Sequence, residues 1–214
     1  MHQCCTPVYD AEFDQQHAEN DMYDYLSTGP KKNTVPLLKS LGGIDLSGKT
    51  FLDIGGGIGA MTFESFKRGI ASAQHVDISA AYSKAFQGEA DKRGLGQRIQ
   101  SITGDFVNVH DVVSTADVVV LDKVICCYKE FEPLVLHASQ KADGWIAFSV
   151  PRNVWWVRLY DAFDNKWRAL KGKPFPTYVH STDRIDEILV NEGFYNLRKS
   201  YYREWFIAVY QRSR

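Results

Sequence analysis

The sequence predicts an α/β fold whose sheet is doubly wound, mostly parallel and seven-stranded, and which ends in an antiparallel hairpin. Three observations carry that expectation. Short apolar runs alternate with helix-length amphipathic stretches, glycine or a glycine-containing turn follows the central helical stretches, and two strand-like runs close the chain with no helix between them. Alternation of this kind winds a parallel sheet covered on both faces, and consecutive strands without a crossover pair antiparallel.

Residues 8–41 read as a polar helical segment, broken at Gly29-Pro30, with Tyr23, Tyr25 and Leu26 as its apolar side. They form a candidate lid over residues 42–214. Runs 50–54, 73–78, 98–103, 117–121 and 144–150 are apolar at their centres and short enough for buried strands. Helices are expected over 58–68, 80–93 and 130–142, stopped by Gly69, Gly94 and Gly144. A Trp-rich helix over 154–170 follows, with Trp155, Trp156 and Trp167 expected in the core, then a helix near 183–191 and strands over 194–202 and 204–211.

Composition limits the function. The 214 residues suit one globular unit, and 44% apolar content is enough for a real core. Twenty-five basic against 26 acidic residues leave a net charge of −1, so no overall basic field favours nucleic acid or an anionic membrane. Charge is unevenly placed: residues 1–30 hold six acids and no Lys or Arg, while 12 bases face seven acids from Pro151 onward. No signal-peptide pattern or membrane-spanning run is visible, so a cytoplasmic protein is expected. Four cysteines form two adjacent pairs, Cys4-Cys5 and Cys126-Cys127, without metal-knuckle spacing. No metal site is expected, although two folded-together thiol pairs would suit a soft metal or metalloid.

The most informative stretch is Phe51-Leu52-Asp53-Ile54-Gly55-Gly56-Gly57-Ile58-Gly59, a buried strand entering a glycine-rich turn and then a helix. Gly55, Gly57 and Ala60 also satisfy the dinucleotide pattern that cradles a pyrophosphate, which keeps a nicotinamide oxidoreductase as an alternative. Asp53 argues the other way, because a carboxylate at the strand's end repels a pyrophosphate and suits a ligand carrying an ammonium group.

With Asp53 preceding Gly55-x-Gly57-x-Gly59, the sequence resembles the class I methyltransferases, which use S-adenosylmethionine on a Rossmann-like sheet. The resemblance runs from about residue 35 to 150. It implies that Asp53, Gly55, Gly56 and Gly57 hold the amino-acid part of this cofactor, and that Asp77 takes the ribose hydroxyls with Ile78 beside the adenine. It implies further that Asp105 and Phe106 meet the adenine, and that Asp122 and Lys123 face the sulfonium and the substrate. Wording after the fourth and fifth strands is similar to small bacterial methyltransferase-domain proteins distantly similar to magnesium-protoporphyrin O-methyltransferase. Cys127-Tyr128 stands where those enzymes tend to carry His-Tyr.

Tyr25, Cys127 and His180 are the candidate catalytic residues, as a phenol over the sulfonium, a thiol at the acceptor end and a base near neutral pKa. Lys31, Lys32 and Thr34 are placed to reach the cofactor carboxylate, and Arg152 and Arg158 to grip an acceptor carboxylate or to pair with Asp161 and Asp122. The expected activity is methyl transfer to oxygen or nitrogen of a small molecule, including a carboxylate, without nucleic acid as partner. A thiol or metalloid acceptor and a cofactor-binding module without turnover are the alternatives.

Overall fold

The computed structural model describes residues 12–172 and 175–213. Cys4 and Cys5, the proposed partners of Cys126-Cys127, lie outside the described residues.

Seven strands form one sheet: β1 (Thr50–Ile54), β2 (Ser72–Asp77), β3 (Ile99–Thr103), β4 (Ala116–Asp122), β5 (Ala142–Pro151), β6 (Phe194–Tyr202) and β7 (Trp205–Arg212). Their order is β3-β2-β1-β4-β5-β7-β6. The first five pair in parallel, and β7 pairs antiparallel with β5 and β6. The doubly wound fold with its closing hairpin is therefore as the sequence predicts. Winding reverses between β1 and β4, which opens a crevice at their carboxyl ends.

Eight α-helices are seen among the described residues: α1 (Gln15–Thr28), α2 (Val35–Ser40), α3 (Ala60–Phe66), α4 (Ala80–Lys92), α5 (Phe106–Val109), α6 (Glu132–Gln140), α7 (Trp155–Leu170) and α8 (Thr182–Asn191). Six of them begin with a local signal. The side chains of Asp14, Ser79, Asp105 and Ser181 cap α1, α4, α5 and α8, while α2 and α6 carry proline in the first turn. That proline, Pro133, starts α6 later than the apolar pattern alone suggests.

Side chains of successive β4 residues alternate between two cores. Val119 and Leu121 join Leu134, Val135, Ile185 and Leu189 of α6 and α8 on one face. Val118 and Val120 join Leu37, Leu41 and Met61 on the other, so the second half of the expected lid segment is part of the sheet's own core.

The first half behaves as a docked cover. Ala18, Met22 and Tyr25 pack on Phe63, Tyr82 and Phe86. Their spacing, four and then three residues, is one helical face. Tyr23 and Leu26, expected on the apolar side, point instead to solvent, since only positions in step with Ala18 and Met22 face the body.

A larger correction concerns α7. Trp155, Trp156 and Trp167 are exposed, not core, and within this helix only Val157 is buried. The polar side faces the protein, where Asp161 and Asn165 hold Thr177 and Arg168 pairs with Glu12. Arg152 and Arg158 do not pair with Asp161 or Asp122. Arg152 lies over the Tyr201 ring, and Arg158 bonds the Asn153 amide oxygen at 2.7 Å.

Candidate active site

A cavity of about 250 Å³ opens at the carboxyl edge of β1, β2 and β4. Its floor is the glycine turn, whose backbone path explains the residue choice. Gly55 has φ +62°, and a Cβ there would sit 2.5 Å from Val124 Cγ2. Gly56 crosses directly over two buried side chains, since a Cβ would lie 2.5 Å from His75 Cδ2 and 2.8 Å from Asp53 Cγ.

Asp53 is buried beneath this turn. One carboxylate oxygen accepts from Thr62 Oγ1 at 2.8 Å, and the other finds no hydrogen-bond partner among the described residues. Burial, then the neighbouring Asp122 and Asp77 charges, pushes its pKa up to about 7. Beside it, burial pulls His75 down to about 4, so the ring is neutral; its Nε2 lies 2.9 Å from the Gly57 carbonyl and its ring stacks on Phe86.

Asp77, at the end of β2, accepts from the Gly57 and Ser79 N–H groups, each at 2.8 Å. Burial raises its pKa. Asp122, at the end of β4, accepts from Ser149 Oγ at 2.6 Å and Thr34 Oγ1 at 2.7 Å. Next to it Lys123 has φ +63°, an unusual conformation for a side chain of its size, held by its N–H to Ser149 Oγ at 2.9 Å. Lys123 Nζ reaches Asp122 at 3.0 Å, Thr34 Oγ1 at 2.8 Å and Asn33 Oδ1 at 3.2 Å. One polar cluster thus ties the segment before α2 to the end of β4.

Of the residues named from sequence, Asp53, Gly55, Gly56, Gly57, Asp77, Ile78, Phe106, Asp122, Lys123, Tyr25 and Cys127 line the cavity, as do Lys31 and Thr34. Lys32, Arg152, Arg158, Asp105 and His180 do not line it. Asp105 turns away to cap α5 and to accept from Tyr128 Oη at 2.6 Å. His180 is buried behind the wall, its Nε2 2.8 Å from the Tyr128 carbonyl, and burial lowers its pKa. A neutral His180 is therefore an N–H donor to Tyr128.

Tyr25 donates to Glu64 Oε1 at 3.0 Å, and burial together with that carboxylate pushes its pKa up to about 12. It is a neutral phenol, not a proton acceptor, at physiological pH. Lys31 is held at 2.7 Å by Asp21, whose other oxygen accepts from Tyr82 Oη at 3.0 Å. Phe13, Asp21, Met61, Tyr82 and Tyr128 also line the cavity and were not singled out from sequence. Only Tyr128, adjoining Cys127 after the fourth strand, carried a positional signal.

A cavity ringed by Asp53, Asp77 and Asp122 suits a ligand with positive charge and hydroxyl groups. Lys31 and Lys123 line it as well, paired with Asp21 and Asp122, so the lining acids without a basic partner among the described residues are Asp53 and Asp77. Among the described residues no group of three or more His, Cys, Asp or Glu is arranged to hold a metal ion.

No established family model matches the sequence. A 108-residue stretch is 32% identical to the ribosomal protein L11 methyltransferase of Enterobacter sp. (strain 638), covering 50% of this chain and 36% of that protein. The corresponding protein of Pectobacterium carotovorum is 30% identical over 122 residues, 57% of this chain and 40% of that one. The chain thus spans well under half the length of these curated relatives. Among solved structures, a magnesium protoporphyrin IX methyltransferase from Synechocystis PCC 6803 with bound SAH superposes with a TM-score of 0.67 at 20% identity, over 85% of this chain and 82% of that one. An O-methyltransferase family protein from Burkholderia thailandensis gives 0.72 at 16% identity, over 96% of this chain and 63% of that one. The mostly parallel sheet, the glycine turn beneath the cavity and these likenesses agree: the protein has the fold of the class I S-adenosylmethionine-dependent methyltransferases.

Proposed function

We propose that the chain binds S-adenosylmethionine in this cavity and transfers its methyl group to a small-molecule acceptor. The observation that carries the reading is the buried, half-partnered Asp53 carboxylate under a glycine turn that a single Cβ would obstruct. Asp53, Gly55, Gly56 and Gly57 would hold the amino-acid end of the cofactor, and Asp77 with Ile78 the ribose and adenine. Lys123 would meet the cofactor carboxylate.

When bound, the cofactor supplies an electrophilic methyl carbon; the acceptor–carbon bond forms as the carbon–sulfur bond breaks, and the electron pair stays on sulfur. Such in-line displacement asks the protein mainly to align reactants and exclude water. Tyr25, Lys31 and Thr34 on the cover line the same cavity as the strand ends, which favours an acceptor enclosed beneath them over a large surface. Cys127 and Tyr128 would contact that acceptor. Tyr25 orients and shields, and His180 acts only through the Tyr128 backbone it holds. With both Tyr25 and His180 ill suited to take a proton, an acceptor that is already ionised or has a free lone pair fits best, such as a carboxylate or an amine.

The test is thermal melting with S-adenosylmethionine, S-adenosylhomocysteine and NADH in parallel, followed by calorimetric titration of Asp77→Ala. The expected result is stabilisation by the adenosyl ligands alone, by about 2.7 kcal/mol at a hundredfold excess over Kd, with binding weakened more than about tenfold in the variant. Stabilisation by NADH alone would overturn the reading, and unaltered affinity of Asp77→Ala would remove Asp77 from the ribose site.

A further inference from the structure

The exposed side of α7 has no counterpart elsewhere among the described helices. At about 100° per residue, Leu159, Phe163 and Leu170 run along the middle of its outer face. Trp155 lies on one border, and Tyr160 and Trp167 on the other, all at least half exposed. The bases on or beside this outer face are Lys166, on the same border as Trp155 but about three turns along the helix, and Lys171, whose Nζ lies 4.7 Å over the Trp167 ring. Of the acids of the helix, Asp161 turns inward to Thr177, while Asp164 lies beside the Tyr160 border, partly exposed and 3.9 Å from Arg168 one turn along the same helix. The helix is thus inside out relative to ordinary packing, with its polar side spent on the protein and its apolar side offered outward.

We propose that α7 is an in-plane anchor that rests on an anionic phospholipid surface. An aliphatic and phenyl centre flanked by indole and phenol rings suits a layer that is oily in its depth and polar at its rim. Lysines on the borders extend their stems along the apolar face and bring their ammonium groups to the headgroups. Charge decides against a second copy of the chain as the occupant. A two-fold contact through this face would set lysines against lysines, and the one acid beside the face, Asp164, already faces Arg168 of its own helix. Although the chain as a whole is near neutral, this patch is locally basic. The helix leaves the sheet at the carboxyl end of β5, the same edge as the cavity, and its packing continues through Thr177 to Tyr178, whose N–H bonds the Cys126 carbonyl at 2.8 Å. The lipid surface would then lie on the acceptor side of the cavity. This inference stands on α7 alone and does not depend on the methyl-transfer reading.

The experiment is flotation of the full chain with vesicles of equimolar phosphatidylglycerol and phosphatidylcholine, and with phosphatidylcholine alone, together with tryptophan emission and solution mass by light scattering. Expected are a blue shift and flotation with the anionic vesicles, weaker by about tenfold or more with the neutral ones and in the double variant Leu159→Glu/Phe163→Glu. Lys166→Glu should weaken anionic binding alone. All three positions are exposed, so the melting temperature checks that each variant is folded, and Val190→Glu, on the exposed side of α8, should bind as the parent does. Failure to float with either vesicle, flotation insensitive to the α7 variants, or equal binding to neutral vesicles overturns the proposal. So does a dimer that these same substitutions dissolve, which would assign the face to a second copy.

Discussion

Replacing Asp53 by Asn should stabilise the ligand-free protein while weakening its hold on the cofactor. A carboxyl group pushed up to about 7 keeps its proton in the folded state, whereas in the unfolded chain it releases it near pH 4. Between these values the folded state holds the extra proton, so stability contributed by this group declines as pH rises from about 4 to about 7 and is then level. Asn cannot ionise, and its amide oxygen can still accept from Thr62 Oγ1, so it escapes that decline. Two pH units lie between pH 5 and the carboxyl's pKa, and at about 1.4 kcal/mol each the advantage of Asn over Asp should grow by up to about 3 kcal/mol from pH 5 to pH 8. His75 works with the opposite slope: driven down to about 4, it costs stability when the unfolded chain protonates near pH 6.5, so its contribution rises with pH over that range. It is present in both proteins, and the difference between them removes most of its effect. Urea unfolding of the two proteins at pH 5 and pH 8, without ligand, is the measurement. A difference that does not change with pH would refute the buried-carboxylate argument, whatever the variant does to binding.

Two further outcomes follow from the same geometry. Gly56→Ala places a methyl group 2.5 Å from His75 and 2.8 Å from Asp53, so it should cost about 1–3 kcal/mol in urea unfolding and abolish the cofactor-induced melting shift; retention of both would mean that the turn is free to move. Tyr25→Phe removes a hydrogen bond to Glu64 but no proton acceptor, so stability should fall by about 1 kcal/mol while the methyl-transfer rate stays within about threefold, and a larger loss of kcat would restore a chemical role to that phenol.

Much of the fold is legible because it is written in local patterns. The runs around Leu52 and Val119 are largely apolar without alternation, since both faces of the sheet are covered, and Gly69 and Gly94 stop the chain where a left-handed residue is needed. Asp53, Asp77 and Asp122 are found from sequence because each occupies the end of a strand, and parallel strands bring their carboxyl ends to one edge. The lid residues are harder. Asp21 and Tyr82 meet only because α1 docks on α4, and no spacing within either helix encodes that encounter.

The sequence by itself therefore determined the order of strands and helices, the glycine turn and the set of strand-end carboxylates, all consequences of short-range pattern. Tertiary structure decided which way individual side chains face. Asp105 and His180 have the right residue type and neighbourhood, yet one is turned aside by Tyr128 and the other is held behind the wall by the Tyr128 carbonyl. The tryptophans of α7 make the point most plainly. Helical periodicity tells that Trp155, Leu159, Phe163 and Trp167 share a side, but not whether that side meets the protein or the surroundings. That choice was made by Asp161, Asn165 and Arg168, whose partners, Thr177 beyond the helix and Glu12 near the other end of the chain, drew the polar side inward.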